Sequence, residues 1–263
     1  MPQFAVVSHE RHTGKRWLRS TSHRFAAADV MVPVVGAELA RAAVSMPLAF
    51  VEHEGRYSLV AVLSLTSGRN LFVAPDGRWL GGYVPACYRA YPFGVVPKQG
   101  TDEVMLVVDE DSGLVTDARL GGEAFFDDEG KLSPALKSIF DFLIQLETSR
   151  RSTQASVSAL AEAGIIQPWP ITVKTEQGEQ PVSGLYRVDE AGLNALPDGI
   201  FLTLRKAAAL PVAYAHLLST AQIGLFSELT KLQAQLGPPL SSTVPENLDS
   251  IFGLTTDDTI QFR

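Results

Sequence analysis

Short apolar runs separated by turn residues occupy the first half of the chain, and amphipathic repeats occupy the second half. Residues 46–51 and 57–65 are apolar runs on either side of His53-Glu54-Gly55, and this arrangement predicts an antiparallel hairpin. The sequence Pro75-Asp76-Gly77 predicts a tight turn, because proline presets the first φ angle and glycine accepts a positive one. Further short strands are predicted over residues 4–7, 71–73 and 104–108.

The second half of the chain has the spacing of helices. Ser133 and Pro134 suit the cap and the first position of a helix, and large apolar residues follow at intervals of three and four through Leu143. These signals predict a helix over residues 134–147. Further helices are predicted over residues 153–163, 189–196, 199–208 and 211–235, the last being the longest, and a second hairpin is predicted from residues 165–173 and 182–188.

Strands that come early and helices that come late are typical of an α+β protein, and they differ from the strict alternation around a parallel sheet. We therefore expect an antiparallel sheet built mainly from the N-terminal half, with helices mainly from the C-terminal half. Residues 1–237 are expected to form a single domain. The remaining residues, 238–263, are rich in Ser, Thr, Pro and Asp and are expected to form a polar tail.

The net charge of the chain bears on whether it binds nucleic acid, and the distribution of charge bears on contacts between its segments. The formal net charge of −7 argues against a nucleic-acid partner, which needs a concentrated basic face. Residues 1–24 carry five Arg or Lys and one Glu, whereas residues 101–130 carry ten acids and only Arg119. These segments either form two solvated loops or contact each other, within one chain or with a partner. Contact between copies would give a homo-oligomer whose association is sensitive to salt.

The sequence also bears on location. Charged residues stand where the apolar part of a signal peptide would lie, and the best apolar run, residues 57–65, is too short to span a bilayer. The single cysteine, Cys87, excludes an internal disulfide. We therefore expect a cytoplasmic protein without a membrane span. The alternative is a location at the cell surface, reached without an N-terminal signal peptide.

Residues 79–93 hold the most distinctive side chains. Four aromatic residues with polar tips, Trp79, Tyr83, Tyr88 and Tyr91, accompany Arg89, whose planar guanidinium suits a carboxylate or a phosphate. A short helix predicted over residues 86–91 would place Tyr88 and Tyr91 near one face. These five residues are the candidate binding site. The alternative is that the aromatics fix the short helix to the sheet, while Arg89 pairs with an acid from residues 101–130.

Other groups of residues match catalytic or metal-binding patterns poorly. The histidines lack the spacing of a zinc site, and the acidic run at residues 109–113 has glycine at the fifth position where a calcium loop has it at the sixth. A thiol at the start of a helix beside Arg89 would have a lowered pKa, but a lone cysteine such as Cys87 is more often a small buried hydrophobic residue. We therefore predict no metal and no cofactor, and the catalytic residues, if any, are unknown.

A set of short motifs, taken in order and spacing, carries a family resemblance. The motifs are Met46-Pro47-Leu48-Ala49-Phe50-Val51, Gly68-Arg69-Asn70-Leu71-Phe72-Val73, Asp76-Gly77-Arg78-Trp79, Tyr83-Val84-Pro85-Ala86, Arg89-Ala90-Tyr91-Pro92-Phe93, Val107-Val108-Asp109-Glu110, Ala124-Phe125-Phe126-Asp127, Gly184-Leu185-Tyr186-Arg187-Val188-Asp189 and Tyr214-Ala215-His216-Leu217-Leu218-Ser219. Together they resemble the bacterial SapC family over nearly the whole chain before the tail. The family takes its name from a protein linked to a paracrystalline surface layer, and its members are encoded near tryptophan-halogenase-like proteins and outer-membrane receptors. The resemblance therefore implies an accessory role, and it supplies no catalytic residues to transfer.

Two hypotheses of different classes follow. The leading one is a non-catalytic binding or accessory protein of a bacterial surface or envelope system, with a protein partner or a small acidic ligand at residues 79–93. The alternative is an enzyme, or an enzyme subunit, acting on a small acidic or peptide substrate, with Arg89 as anion clamp and Tyr83 or Tyr91 as proton donor. An enzyme would place Arg89 and two tyrosines around a concave pocket with a perturbed acid or base. A binding protein would bury the aromatics or present them as a flat patch.

Overall fold

The computed structural model describes residues 3–101, 103–175 and 178–237. Within these ranges antiparallel sheets lie mostly in the N-terminal half and helices mainly in the C-terminal half, which confirms the predicted α+β class. The predicted tail over residues 238–263 lies outside the described residues. The single domain over residues 1–237 stays a prediction.

The elements are short, with one long helix among them. The strands are β1 (Phe4–Val6), β2 (Lys15–Trp17), β3 (Met31–Pro33), β4 (Leu48–His53), β5 (Arg56–Val62), β6 (Phe93–Pro97), β7 (Val104–Asp109), β8 (Val115–Asp117), β9 (Glu123–Ala124), β10 (Ile166–Pro168), β11 (Ile171–Thr175), β12 (Gly178–Val182) and β13 (Tyr186–Val188). The helices are α1 (His9–His12), α2 (Leu39–Ala42), α3 (Ala86–Arg89), α4 (Pro134–Glu162), α5 (Glu190–Asn194), α6 (Asp198–Lys206), α7 (Ala209–Ser219) and α8 (Leu225–Leu236).

A five-stranded sheet in the order β10-β13-β4-β5-β3 lies at the centre of the first core. Strands β4 and β5 form the predicted hairpin, with Phe50 opposite Leu59. Its turn holds Glu54 and Gly55 at φ angles of 48° and 79°, the left-handed conformation that a two-residue hairpin loop requires. Ala49 and Phe50 point to opposite faces and both are fully buried, so the sheet is covered on two sides.

Two three-stranded sheets, β1-β7-β6 and β8-β2-β9, form a second core with the first half of α4. Trp17 is 1% exposed and meets the Phe93 ring edge-on at a centroid distance of 5.0 Å. Phe125 is also buried and packs against Phe93. Aromatic side chains therefore dominate this smaller core, since each removes a large apolar area from water.

Helix α4 spans both cores and replaces the two helices predicted over residues 134–147 and 153–163. Its start is as predicted, with the Ser133 hydroxyl accepting from Leu136 N at 3.3 Å. Its 29 residues extend roughly 43 Å, by the usual 1.5 Å rise per residue. The predicted break at residues 148–152 is wrong, because the helix continues through them. The hydroxyls of Thr148, Ser152 and Thr153 donate to helix carbonyls three or four residues earlier and so do not interrupt it.

The C-terminal helices also differ from prediction. The single helix expected over residues 211–235 is divided into α7 and α8 by the 3₁₀ turn Thr220–Gly224. The hydroxyls of Ser219 and Thr220 donate to carbonyls three residues earlier, at 2.7 Å each, where α7 passes into the tighter turn. The expected strand over residues 71–73 is reduced to an isolated bridge between Val73 and Trp79. The predicted second hairpin forms as two nested pairs, β11 with β12 and β10 with β13.

Among the described residues, the helical stretch Ala209–Leu236 is long and apolar enough to cross a membrane by length and composition. Core helices of water-soluble proteins satisfy the same two criteria. In this structure Val212, Ala213 and His216 of that stretch are buried against the first core, and 33% of its most apolar window is buried in all. The expected absence of a membrane span stays a prediction.

The basic N-terminal arm and the acidic segment meet within one chain. Strand β2 pairs with β8 and β9, which places Lys15 opposite Asp117. The Glu110 carboxylate accepts from Arg11 and, at 2.8 Å, from Lys15. These hydrogen bonds hold the pKa of Glu110 at about 2, below its ordinary value. The two segments are therefore not independent solvated loops, because these charges of the basic arm and the acidic segment pair with each other within the chain.

We predict that Glu110→Gln lowers the free energy of unfolding by about 1–2 kcal/mol near neutral pH, because it removes a carboxylate that accepts two charge-assisted hydrogen bonds. Since the pKa of Glu110 is lowered from its ordinary 4.5 to about 2 in the folded state, its stabilisation is present above about pH 4.5 and is lost as the pH falls towards 2. The difference from wild type should therefore shrink in acid. Urea denaturation at neutral pH and in acid measures both effects.

The matched control is Glu129→Gln, which removes a carboxylate that is 74% exposed and paired with Lys131. An exposed pair of this kind contributes little, so we expect a change below about 0.5 kcal/mol. Equal losses in the two variants would contradict the assigned role of Glu110.

Candidate functional site

Trp79 forms the inner wall of the candidate site. Its ring stacks on Phe72 at a centroid distance of 5.3 Å and meets Tyr88 edge-on at 5.9 Å. Its indole N–H donates to the carbonyl of Tyr83 at 2.8 Å. A Cβ atom at Gly81 would lie 2.8 Å from both the Phe72 ring and Trp79 Nε1, so only glycine lets the chain pass this close to the rings. The loop 79–83 is therefore folded around the indole.

Tyr83 connects a buried acid to the exposed arginine. Its hydroxyl donates to Oε2 of Glu38 at 2.8 Å and accepts from Nη2 of Arg89 at 3.1 Å. Glu38 is only 5% exposed and also accepts from the backbone N–H groups of Val35 and Ala86. Burial, followed by the Glu38 hydrogen bond and charge, raises the pKa of Tyr83 to about 12. Tyr83 therefore keeps its proton at neutral pH.

Tyr88 lies in the first core, where its hydroxyl donates to Oδ2 of Asp29 at 2.6 Å. Burial raises the pKa of Asp29 to about 6, although the Tyr88 hydrogen bond acts in the opposite direction. Burial and the neighbouring Asp29 charge raise the pKa of the Tyr88 phenol well above its ordinary value. The hydrogen bond between Tyr88 and Asp29 thus fixes the Tyr88 side chain in the first core, and Asp29 titrates in mildly acidic solution.

Tyr91 stacks on Phe25 at a centroid distance of 3.8 Å, and Tyr88 meets the same ring edge-on at 5.5 Å. Tyr88 and Tyr91 therefore lie on the same side, as predicted, because both contact the Phe25 ring. The helix itself ends at Arg89, so Tyr91 lies beyond it. The Tyr91 hydroxyl lies 3.4 Å from Oδ2 of Asp109. Burial, then the Asp109 charge and hydrogen bond, raise the pKa of Tyr91 to about 12.

Arg89 is the exposed member of the set. Its guanidinium carbon lies 5.6 Å from the centre of the Tyr83 ring and 5.2 Å from that of Phe142, within the range of cation–π attraction. The alternative that it pairs with an acid from residues 101–130 is wrong for the part of that segment that the structure describes. Phe142 lines a shallow groove of about 440 Å³ along α4, together with Pro134, Lys137, Ser138, Asp141 and Gln145.

The structure thus connects all five candidate residues, but it gives them unequal exposure. Trp79, Tyr83 and Tyr91 are half-buried, Tyr88 is buried, and only Arg89 faces solvent. None of the four aromatics lines the groove beside Arg89. The arrangement therefore fixes the position of the Arg89 guanidinium at the surface. That these five residues form a binding site remains a prediction.

Two other candidate chemistries can be compared with the geometry. Burial raises the pKa of the Cys87 thiol well above its ordinary value, with the Glu38 and Asp29 charges adding to the shift, which is opposite to the lowered pKa of an activated thiol. In the described ranges, no group of three or more His, Cys, Asp or Glu side chains is arranged to hold a metal ion.

Sequence reasoning missed the partners of the candidate residues. Glu38 and Asp29 anchor two of the tyrosines from positions about fifty residues earlier, and Phe142 supports Arg89 from α4. Glu38 and Asp29 each stand inside an apolar stretch of the sequence. This position could have identified them as partners of the tyrosines, because an acid among apolar residues needs hydrogen bonds that replace its hydration. Phe142 gives no such signal, because it follows the apolar repeat of its helix.

The geometry defines an α+β protein that presents an arginine at its surface, held against two aromatic rings. The family model of SapC matches residues 7–225, which is most of the chain, and the chain therefore belongs to the SapC family. The match includes every candidate site residue and confirms the resemblance. Comparisons with curated proteins and with solved structures gave no significant match.

We predict that Asp29→Asn becomes more stable relative to wild type as the pH rises from about 4 to about 7. The folded-state pKa of Asp29 is raised to about 6, so its favourable contribution is complete below about pH 4 and is lost as the pH rises through 6. Asparagine does not titrate and can still accept from Tyr88. The relative gain should be about 1–3 kcal/mol, measured by urea denaturation across this pH range.

Asp128→Asn is the control for this experiment, because Asp128 is exposed. Its stability relative to wild type should change little over the same interval. If the two variants followed the same pH dependence, Asp29 would not be the group that titrates with a raised pKa.

Proposed function

We propose that this SapC-family protein is a non-catalytic binding or accessory protein of a bacterial surface or envelope system, and that Arg89 recognises an acidic group of a protein partner. The observation that carries the proposal is the state of Arg89. It is an exposed, permanently charged guanidinium, held against two rings, and no carboxylate pairs with it among the described residues. Such a group is suited to a carboxylate that comes from outside the chain.

The support beneath Arg89 favours recognition. Tyr83 accepts from the guanidinium and is itself fixed by the buried Glu38, so the cation has little freedom to reorganise on binding. A preorganised side chain loses less conformational entropy when a partner binds. The groove on α4 continues from Phe142 past Lys137 and Asp141, whose charges pair at 2.6 Å, and it offers an extended segment a polar surface.

The chain belongs to the SapC family. The surface or envelope assignment rests on the resemblance alone, since the family takes its name from a surface-layer protein. A cytoplasmic location is part of this proposal, with the cell surface, reached without a signal peptide, as the alternative. Association of copies through the N-terminal arm is less favoured, since Arg11, Lys15 and Arg19 already have carboxylate partners within the chain.

The alternative function is an enzyme or enzyme subunit that uses Arg89 as anion clamp. It requires Tyr83 or Tyr91 to give up a proton, and the pKa of each is raised to about 12. Neither tyrosine lines the groove beside Arg89. An efficient general acid has a pKa near the working pH and lies within reach of its substrate. The binding hypothesis is therefore preferred.

We predict that Arg89→Ala leaves the fold intact but lowers the recovery of the specific partner by about tenfold or more, which corresponds to the loss of a charge-assisted hydrogen bond. Affinity capture from the native cell with wild type, Arg89→Ala and Arg89→Lys, followed by mass spectrometry, measures this. Arg89→Lys should recover only part of the binding, because lysine keeps the charge without the planar fork.

Arg119→Ala is the matched control, since it removes another exposed arginine outside the candidate site. It should capture the same proteins as wild type. Circular dichroism and thermal unfolding establish that each variant is folded. The proposal fails if wild type and Arg89→Ala retain the same proteins in the same amounts.

A further inference from the structure

A second cleft lies on the other part of the sheet, between strands β10 and β13, helix α7 and the 3₁₀ turn Thr220–Gly224. It encloses about 710 Å³, which is within the range of small-molecule sites. It shares no lining residue with the candidate site at Arg89 or with the groove on α4. The residues important here are Trp169, Arg187, Asp189, His216, Leu217 and Ile223.

His216 brings a buried hydrogen-bond acceptor to this cleft. The residue is 0% exposed, and its Nδ1 lies 3.0 Å from the carbonyl oxygen of Leu48. A carbonyl only accepts, so Nδ1 carries the hydrogen and Nε2 keeps a lone pair. Burial lowers the pKa of His216 to about 4, so the ring is neutral at physiological pH. Its Nε2 has no hydrogen-bond partner among the described residues.

Arg187 and Asp189 bring a positive and a negative charge, and the exposed Glu190 adds a second carboxylate to the lining. Arg187 and Asp189 stand two residues apart at the end of β13 and both line the cleft. Nε of Arg187 is buried and has no acceptor in the part of the chain that the structure describes. The Arg187 charge also contributes to the lowered pKa of His216, and both residues line the cleft. The Asp189 carboxylate makes no hydrogen bond or ion pair to any described side chain, although a guanidinium is only two residues away.

Apolar side chains form part of the remaining wall, which also includes Gln167 and Thr220. Trp169 is 9% exposed and meets the His216 ring edge-on at a centroid distance of 5.5 Å. Leu217 from α7 and Ile223 from the 3₁₀ turn also line the cleft. The lining thus combines the Arg187 cation, the Asp189 and Glu190 carboxylates, the neutral acceptor of His216 and an apolar surface. Buried polar groups without partners are costly, so a ligand that satisfies them has a free-energy advantage.

We propose that this cleft binds a free amino acid with an apolar side chain. The carboxylate of the ligand accepts from Arg187, its ammonium group donates to Nε2 of His216 and to Asp189, and its side chain packs against Trp169. The carboxylate of such a zwitterion gives Arg187 an acceptor. Its ammonium group gives donors to Nε2 of His216 and to the Asp189 carboxylate. The inference is independent of the proposed role of Arg89, because the two places share no residue.

The test uses the full chain with L-phenylalanine and L-leucine as probes. Phenylpropanoate lacks the ammonium group and phenethylamine lacks the carboxylate, so each removes one half of the expected recognition. Isothermal titration calorimetry should show binding of the amino acids, with affinity about tenfold or more weaker for either analogue. Since Trp169 is the one of three tryptophans that lines the cleft, binding should also change the intrinsic fluorescence.

Two variants and two controls make the test specific. Arg187→Gln and Asp189→Asn should each weaken amino-acid binding by about tenfold or more. Arg205→Gln on α6 and Glu228→Gln on α8, both exposed and outside the cleft, should bind as wild type does. If Arg187→Gln does not fold, Asp189→Asn and the two analogues still decide the matter. The proposal is overturned if no amino acid binds, if the analogues bind equally well, or if Asp189→Asn binds unchanged.

Discussion

The buried carboxylate of Glu38 determines how the two cores of the structure are joined. A carboxylate removed from water is tolerated only where hydrogen bonds replace its hydration, and Glu38 accepts from two backbone N–H groups and the Tyr83 hydroxyl. One of those N–H groups begins α3, which carries Tyr88 into the first core and leads to Ala90 in the second. The carboxylate therefore fixes the segment that connects the two cores, and the candidate site is part of that connection.

Helix α4 is the other connection, and the two meet at Arg89. Leu143 of α4 lies in the second core and Val157 in the first, so one rigid helix spans both. Arg89 rests between Tyr83, which is tied to Glu38, and Phe142, which belongs to α4. A change in the relative position of the cores would move these two rings apart. The position of the cation is thus coupled to the packing of the whole molecule, although the side chain itself is exposed.

Local signals predicted the elements whose ends are fixed locally. The turn at Gly55 gave the central hairpin, and Ser133 gave the start of α4, because each signal acts within four residues. The continuity of α4 through residues 148–152 depends on packing against both cores, which a local pattern does not encode. The candidate residues were found together because they are close in sequence. Their partners Glu38 and Phe142 come from distant segments, so the sequence located the group without showing how much of it would be buried.

The two proposed sites differ in how water competes with a ligand. At Arg89 the cation faces solvent, so its attraction for an acid is weakened by the high dielectric constant and by salt, and it contributes mainly to encounter and specificity. In the cleft the His216 ring and Nε of Arg187 are buried, where each hydrogen bond is stronger and each unpaired group is more costly, whereas Asp189 is partly exposed. Water can satisfy these groups singly, but a zwitterion satisfies them together and also covers Trp169. Burial therefore gives the cleft the greater capacity for affinity, while exposure gives Arg89 the greater access to a large partner.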